Sequence, residues 1–221
     1  MAKKNELLAK SLLFSGLPPE QLRTIAALSV SKRFAKGAAI FFEGEPGIGF
    51  YMVVTGRVKI FKTSFDGREQ ILHIFGPGEP FGEVPVFHGS PFPANAEALT
   101  EVETLFFPRV EFVGLITANP SLALNMLAVL ALRLRRFATQ VENLSLKEVP
   151  GRLAAYLVYL MEEQQNQDKV VLDIPKGQLA SLLGTSSETL SRIFSKMTEE
   201  GLIRVEGKTI LIIDAQQLKE R

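Results

Sequence analysis

The chain has 221 residues, of which 46% are hydrophobic and 22% charged, and a formal net charge of +1. The length accommodates two domains of ordinary size, and the composition is that of a globular protein, not a disordered one. The near-neutral balance excludes a global basic field of the kind that drives non-specific nucleic-acid binding, although specific reading through one face of a dimer does not need one. There is no cysteine, which excludes a structural disulfide, a thiolate zinc site and a cysteine-ligated iron–sulfur cluster. Lys3 and Lys4 precede Leu7 and Leu8, but Lys10 interrupts any signal-peptide core. The longest apolar stretch, residues 122–132, contains Asn125 and is shorter than the roughly 20 residues a bilayer span requires. These features predict a soluble, cytoplasmic protein without a membrane partner.

Residues 6–28 read as helical, with a Gly16-Leu17-Pro18-Pro19 break that starts a second helix. From residue 34 to 107 short apolar runs alternate with glycine turns such as Lys36-Gly37, Thr55-Gly56, Asp66-Gly67 and Pro77-Gly78. That spacing predicts a β-sandwich or roll. Thirteen of the 16 phenylalanines fall between Phe34 and Phe112, so this domain has a bulky aromatic core or an apolar pocket.

Residues 121–146 follow as one long helix. Within it Leu127, Leu130, Leu134, Phe137, Val141 and Leu144 recur at alternating steps of three and four, a heptad seam over nearly three heptads. Such a stripe can pack on its own domain. It runs on past the point where the β domain could cover it, which favours a dimer seam. Arg133, Arg135 and Arg136 lie off the seam, where they can stay solvated. Residues 143–150 are read as a hinge, with a further helix from Gly151 to about Gln165.

The last 50 residues carry the most specific pattern. Gln178, Leu179, Leu182 and Leu183 belong on or beside the buried face of a short helix that Gly184 breaks. The Ser186 hydroxyl can cap the next helix. Leu190, Ile193, Phe194 and Met197 give that helix one apolar stripe, and Gly201 ends it. Its other face carries Ser187, Glu188, Ser191, Arg192 and Lys196, which can reach base edges and phosphates in a major groove. Residues 202–205 and 209–213 flank Glu206-Gly207-Lys208, a hairpin signal. A helix-turn-helix with a two-stranded wing is predicted, acting on double-stranded DNA.

Taken in order, the glycine-punctuated roll FAKGAAIFFEGEPGIGFYMVVTGRVKIF, then FGEVPVF, the long helix, NLSLKEVPGRLAAYL and the winged reader resemble the Crp/Fnr superfamily of bacterial transcription regulators. The resemblance covers nearly the whole chain. It implies an α+β homodimer: a jelly-roll-like β-roll effector domain with N-terminal helices (residues 1–118), a dimerisation helix (119–146) and a winged helix-turn-helix (147–221). The run Ser187-Glu188-Thr189-Leu190-Ser191-Arg192 is similar to the Fnr-type Glu-x-x-Ser-Arg pattern. That implies Arg192 on a guanine, Glu188 on a cytosine amino group, Ser191 selecting outer bases, and a palindrome of TTGA-like half-sites. Thr189, Lys176 and Lys208 are candidate phosphate contacts. RNA polymerase is a partner by family resemblance.

The expected effector pocket departs from the family's cyclic-nucleotide cassette, in which a Gly-Glu pair is followed by an Arg-Ser pair. Gly82-Glu83 is present, but Phe92-Pro93 stands at the Arg-Ser positions. No lysine or arginine occurs between Arg68 and Arg109. A Thr-Ser pair that meets the adenine in cyclic-AMP sensors is replaced by Phe137-Ala138. Cyclic nucleotide is therefore not the expected effector. The aromatic pocket and the SPFPANAEA run are similar to the haem-dependent, nitric-oxide-responsive branch, the dissimilatory nitrate respiration regulators. Haem needs an axial ligand, for which His73 and His88 are the candidates, with Met126 or Tyr51 as alternatives. A small apolar or aromatic ligand, or none, is the other reading, the latter giving an effector-independent repressor. Nothing in the sequence resembles a nucleophile–base set, a metal cluster or a phosphate loop, so an enzyme is not expected. A ligand-binding regulatory subunit acting on a protein partner is the rival, and the base-reading helix argues against it.

Overall fold

The computed structural model describes residues 2–221, with side chains from Lys4 onward. The chain forms two compact units, one ending at Leu134 and the other beginning at Arg135.

The first unit opens with α1 (Ala2–Lys10), a 3-10 turn (Leu12–Phe14) and α2 (Pro19–Leu28). Pro19 sits in the first turn of α2, where its missing N–H leaves no intrahelical bond unmade. Eight strands follow: β1 (Val30–Phe34), β2 (Ala39–Phe41), β3 (Gly49–Thr55), β4 (Val58–Thr63), β5 (Glu69–Phe75), β6 (Pro80–Phe81), β7 (Asn95–Ala98) and β8 (Val102–Pro108). They form two four-stranded sheets, β1-β8-β3-β6 and β2-β7-β4-β5. Two helices absent from the sequence reading interrupt or follow them, α3 (Val84–His88) and α4 (Arg109–Ala118).

Strand β3, GFYMVVT, is buried over its first five residues, as a strand covered on both faces must be. Alternate side chains therefore serve two cores. Phe50 and Met52 join a helix-side core with Phe14, Leu105, Phe107 and Phe112, to which Leu122, Met126 and Val129 of the long helix α5 (Pro120–Leu146) are added. Tyr51 and Val53 join the roll interior with Phe41, Phe75, Phe81, Phe92 and Phe106. On β4, Lys59 is only 2% exposed. Its ammonium lies 2.6 Å from Glu69, 3.4 Å from Glu97 and 4.2 Å from the Phe61 ring centre.

The second unit holds the rest of α5, then α6 (Val149–Glu163), β9 (Lys169–Val171), α7 (Lys176–Leu182), α8 (Ser187–Glu199), β10 (Ile203–Glu206), β11 (Thr209–Ile212) and α9 (Ala215–Lys219). The wing is a three-stranded sheet, β10-β11-β9, not the expected pair. Strand β9 was missed because Lys169–Val171 is too short to show a period. The break between α5 and α6 is confined to Lys147 and Glu148, shorter than the eight-residue hinge expected. Pro150 does not delay α6, because it falls in the first turn.

Among the described residues, no single helix is long and apolar enough to cross a membrane. Helices α4 and α5 pass that test only together, and they are bent by 113° at their junction.

Candidate DNA-reading surface and effector site

Leu179 and Ala180 anchor α7 in the core of the second unit. Gly184, at φ +64°, takes the left-handed conformation that turns the chain toward α8. Ser186 caps α8 by accepting the Thr189 backbone N–H at 3.2 Å. Burial of Leu190, Ile193, Phe194 and Met197 fixes the rotation of α8, so Ser187, Glu188, Ser191, Arg192 and Lys196 are all exposed together. The Glu188 carboxyl is held below its ordinary value of 4.5, first by its own backbone N–H, then by Ser186, with the Arg192 charge adding to both. It is thus an ionised acceptor at neutral pH.

Thr189 is half-buried, and its hydroxyl accepts from Ser186 Oγ at 3.1 Å and, at the long limit of 3.5 Å, from Arg192 Nη2. It works within the helix end more than at its surface. Lys176 is exposed, with its ammonium 5.0 Å over the Phe194 ring. Lys208 is exposed at the β10–β11 turn, where Gly207 sits at φ +65°.

One residue that the sequence did not single out organises this unit. The Arg152 guanidinium donates to the carbonyls of Leu144 at 2.8 Å, Lys147 at 2.9 Å and Leu183 at 3.0 Å. Two of these acceptors lie at the end of α5, where carbonyls lack intrahelical partners. The third closes α7. The planar fork of arginine suits three separated acceptors, and only the GR pair in VPGRL marked it.

In the roll, Gly82 has φ +72° and delivers Glu83 to the start of α3. Glu83 is mostly buried and forms an ion pair with Arg133 of α5. Arg133 also donates to the Pro80 carbonyl, and its guanidinium lies 4.9 Å over Phe75. The expectation that Arg133 is solvated is therefore corrected. Leu122, Met126, Val129 and Arg133 form a second stripe along α5 that faces the roll unit.

Phe92 is buried and stacked on Phe41, with ring centres 3.7 Å apart and planes within 7°. Its backbone N–H donates to the Glu45 carbonyl at 3.0 Å, and its carbonyl accepts from Gly44 N at 2.9 Å. Pro93 is exposed, and its carbonyl accepts from Lys62 Nζ at 2.9 Å. Lys62 is also paired with Glu43, so this cation from β4, which lies outside the lysine-free stretch, is already engaged. In the second unit, Phe137 and Ala138 are exposed on α5.

The candidate haem ligands are dispersed. His88 is exposed at the end of α3, with Nδ1 2.6 Å from Ser90 Oγ. His73 is half-buried on β5, edge-on to Phe75 at 4.5 Å. Met126 belongs to the helix-side core and Tyr51 to the roll interior. Burial, reinforced by Glu45, raises the Tyr51 phenol above its ordinary value. As folded, the roll does not fit a haem, because stacked side chains fill its interior. Among the described residues, no group of three or more histidine, aspartate or glutamate side chains is placed to hold a metal ion.

Residues 31–119 match the family of cyclic nucleotide-binding domains, and residues 151–221 match the Crp-like helix-turn-helix domain. The chain is 34% identical over 221 residues to a CRP-like cAMP-activated global transcriptional regulator of Mycobacterium tuberculosis, covering 98% of this chain and 99% of that one. The chain belongs to the Crp/Fnr family of DNA-binding transcription regulators. A cyclic AMP receptor protein of Thermus thermophilus is similar at 34% identity, with 95% and 96% of the two chains covered. The structure of FixK2 from Bradyrhizobium japonicum superposes with a TM-score of 0.78 at 25% identity, covering 87% of this chain and 96% of FixK2.

Along α5 of this Crp/Fnr regulator, the expected seam is open to solvent. Leu127, Leu134 and Val141 are 61%, 70% and 63% exposed. Phe137 is exposed as well, and Leu130 and Leu144 are half-buried.

Proposed function

We propose that this Crp/Fnr regulator works in the cytoplasm as a homodimer that reads a palindrome of TTGA-like half-sites. The observation that carries this reading is the shared exposure of Glu188, Ser191 and Arg192 on one face of a capped helix. Arg192 presents two donors to guanine O6 and N7, and ionised Glu188 accepts from a cytosine amino group. Ser187 lies beside them. Lys176, Lys208 and Thr189 hold phosphates, Thr189 with the least reach. The open stripe of Leu127, Leu130, Leu134, Phe137, Val141 and Leu144 supports pairing of two α5 helices. RNA polymerase is the downstream partner. Arg192→Ala should cost about 1–3 kcal/mol of operator affinity, read by fluorescence anisotropy at fixed salt. Equal binding of wild type to a scrambled palindrome would sink this reading and favour a module that acts on a protein partner.

The effector is not a cyclic nucleotide, although similar regulators are named for cyclic AMP. An apolar ring stands where a phosphate needs a cation, and Glu83 already holds Arg133. A haem-bound, nitric-oxide-responsive roll is a second reading, favoured by one observation, the placement of His73 against Phe75 at the edge of the aromatic interior. It requires Phe41 and Phe92 to part. Its test is a haem titration of wild type, His73→Ala and His88→Ala. A saturating Soret band lost in one variant supports it, and a broad unsaturable band removes it.

A further inference from the structure

The ring of Phe92 occupies a slot with three walls. Phe41 covers one face at 3.7 Å. Gly82 forms a second wall: a Cβ there would stand 3.3 Å from the Phe92 ring and 3.0 Å from Phe41. Gly47 forms the third, where a Cβ would stand 3.1 Å from the tip of the same ring and would collide with Pro85. Two glycines thus leave the width of one ring, and Tyr51, Phe75, Phe81 and Phe106 of the same core are themselves uncharged, with Lys32 and Arg133 lying over Tyr51, Phe106 and Phe75. The occupant is also held from behind. Phe92 lies between Pro91 and Pro93, and both of its backbone polar groups are bonded to the Gly44–Glu45 turn.

We infer that the roll contains a slot for one flat, uncharged aromatic ring, and that Phe92 is its resident occupant, so that an external ring enters only where Phe92 leaves. The inference rests on the reading of the roll as a site that takes no cyclic nucleotide. It assigns the slot a ligand class, a neutral single or fused aromatic ring, and excludes anions and cations of the same size, because Phe41, Gly82 and Gly47 offer a buried charge no side-chain partner.

The test compares the full-length wild type with Phe92→Ala by thermal melting with indole, benzoate or benzylamine. Removing the ring should leave an apolar void, and such voids bind neutral aromatics. Indole at about a hundred times its Kd should raise the melting temperature of the variant by several degrees and leave wild type unmoved. Benzoate and benzylamine should move neither. An indole shift of equal size in wild type, no shift in the variant, or an equal response to benzoate overturns the inference.

Should Phe92→Ala fail to fold, a cycle of Gly82→Ala, Phe92→Leu and the double variant decides. Phe92→Leu should relieve the contact of the new Cβ with the Phe92 ring, while the strain at φ +72° and the contact with Phe41 remain, so the double variant should melt higher than the two single losses predict. Additive losses would place Gly82 away from the ring and overturn the slot. Operator binding by wild type, measured alongside without any added small molecule, keeps the two claims apart. Its loss sinks the DNA-reading proposal and leaves the slot, and a failed slot leaves operator binding intact.

Discussion

Arg152 donates to the Leu183 carbonyl across 31 positions of sequence while the same guanidinium holds the Leu144 and Lys147 carbonyls. One side chain thus ties the end of α5, the start of α6 and the turn before the reading helix. Arg152→Ala strands three carbonyls that a charged donor had satisfied. It should lower unfolding free energy by about 2–3 kcal/mol, measured by chemical denaturation. Arg152→Lys should recover only part of this, since an ammonium lacks the planar fork. Full recovery by lysine would mean that charge alone matters.

Glu188 titrates below 4.5 because its own backbone N–H, Ser186 and Arg192 favour the carboxylate. A depressed pKa in the folded state contributes stability that is present above the unfolded value and lost as pH falls through the folded one. Side-chain NMR should place its midpoint below that of a free glutamate. Ser186→Ala should raise the midpoint more than Arg192→Ala, because the hydrogen bond outweighs the more distant charge. The reverse order would assign the shift to Arg192.

Lys59 is buried between Glu69 and Glu97. Lys59→Ala removes the ammonium that these two carboxylates share. Each glutamate retains some exposure and can rehydrate, so the loss should be smaller than the roughly 3–5 kcal/mol of a fully buried pair. Lys59→Met combined with Glu69→Gln and Glu97→Gln should regain most of it. A triple variant as unstable as Lys59→Ala would show that the trio acts through packing.

Leu134→Glu with Val141→Glu places charge in the open stripe of α5. Sedimentation should change from dimer to monomer, and operator affinity should fall by about a hundredfold as the two half-sites lose simultaneous engagement. A variant that remains dimeric would move the interface elsewhere.

Much of the reading unit was legible because its signals are local. Ser186, the Leu190–Met197 stripe and Gly207 each act within one or two turns, so spacing alone places them. The Arg152 contacts were not legible, since their acceptors come from three segments that only the fold brings together. Arg133 was misread for another reason. The heptad stripe through Leu134 is present, but α5 has a second occupied face through Leu122, Met126 and Val129, and Arg133 extends that face onto Glu83. A single period cannot show that a helix is covered twice. His73 and His88 were nominated by residue type, which carries no information on where a ring points.

The two prolines around Phe92 bar a one-step exchange of ligand class. An arginine in place of Phe92 would thrust a guanidinium against the face of Phe41, on a backbone held at both polar groups by the Gly44–Glu45 turn. Glu83, next to Gly82, is already bound to Arg133. The substituted chain would carry a buried cation with no partner and would fold less well than the native one. A phosphate site here therefore needs more than one substitution: the Pro-Phe-Pro clasp has to loosen, and Glu83 has to be released.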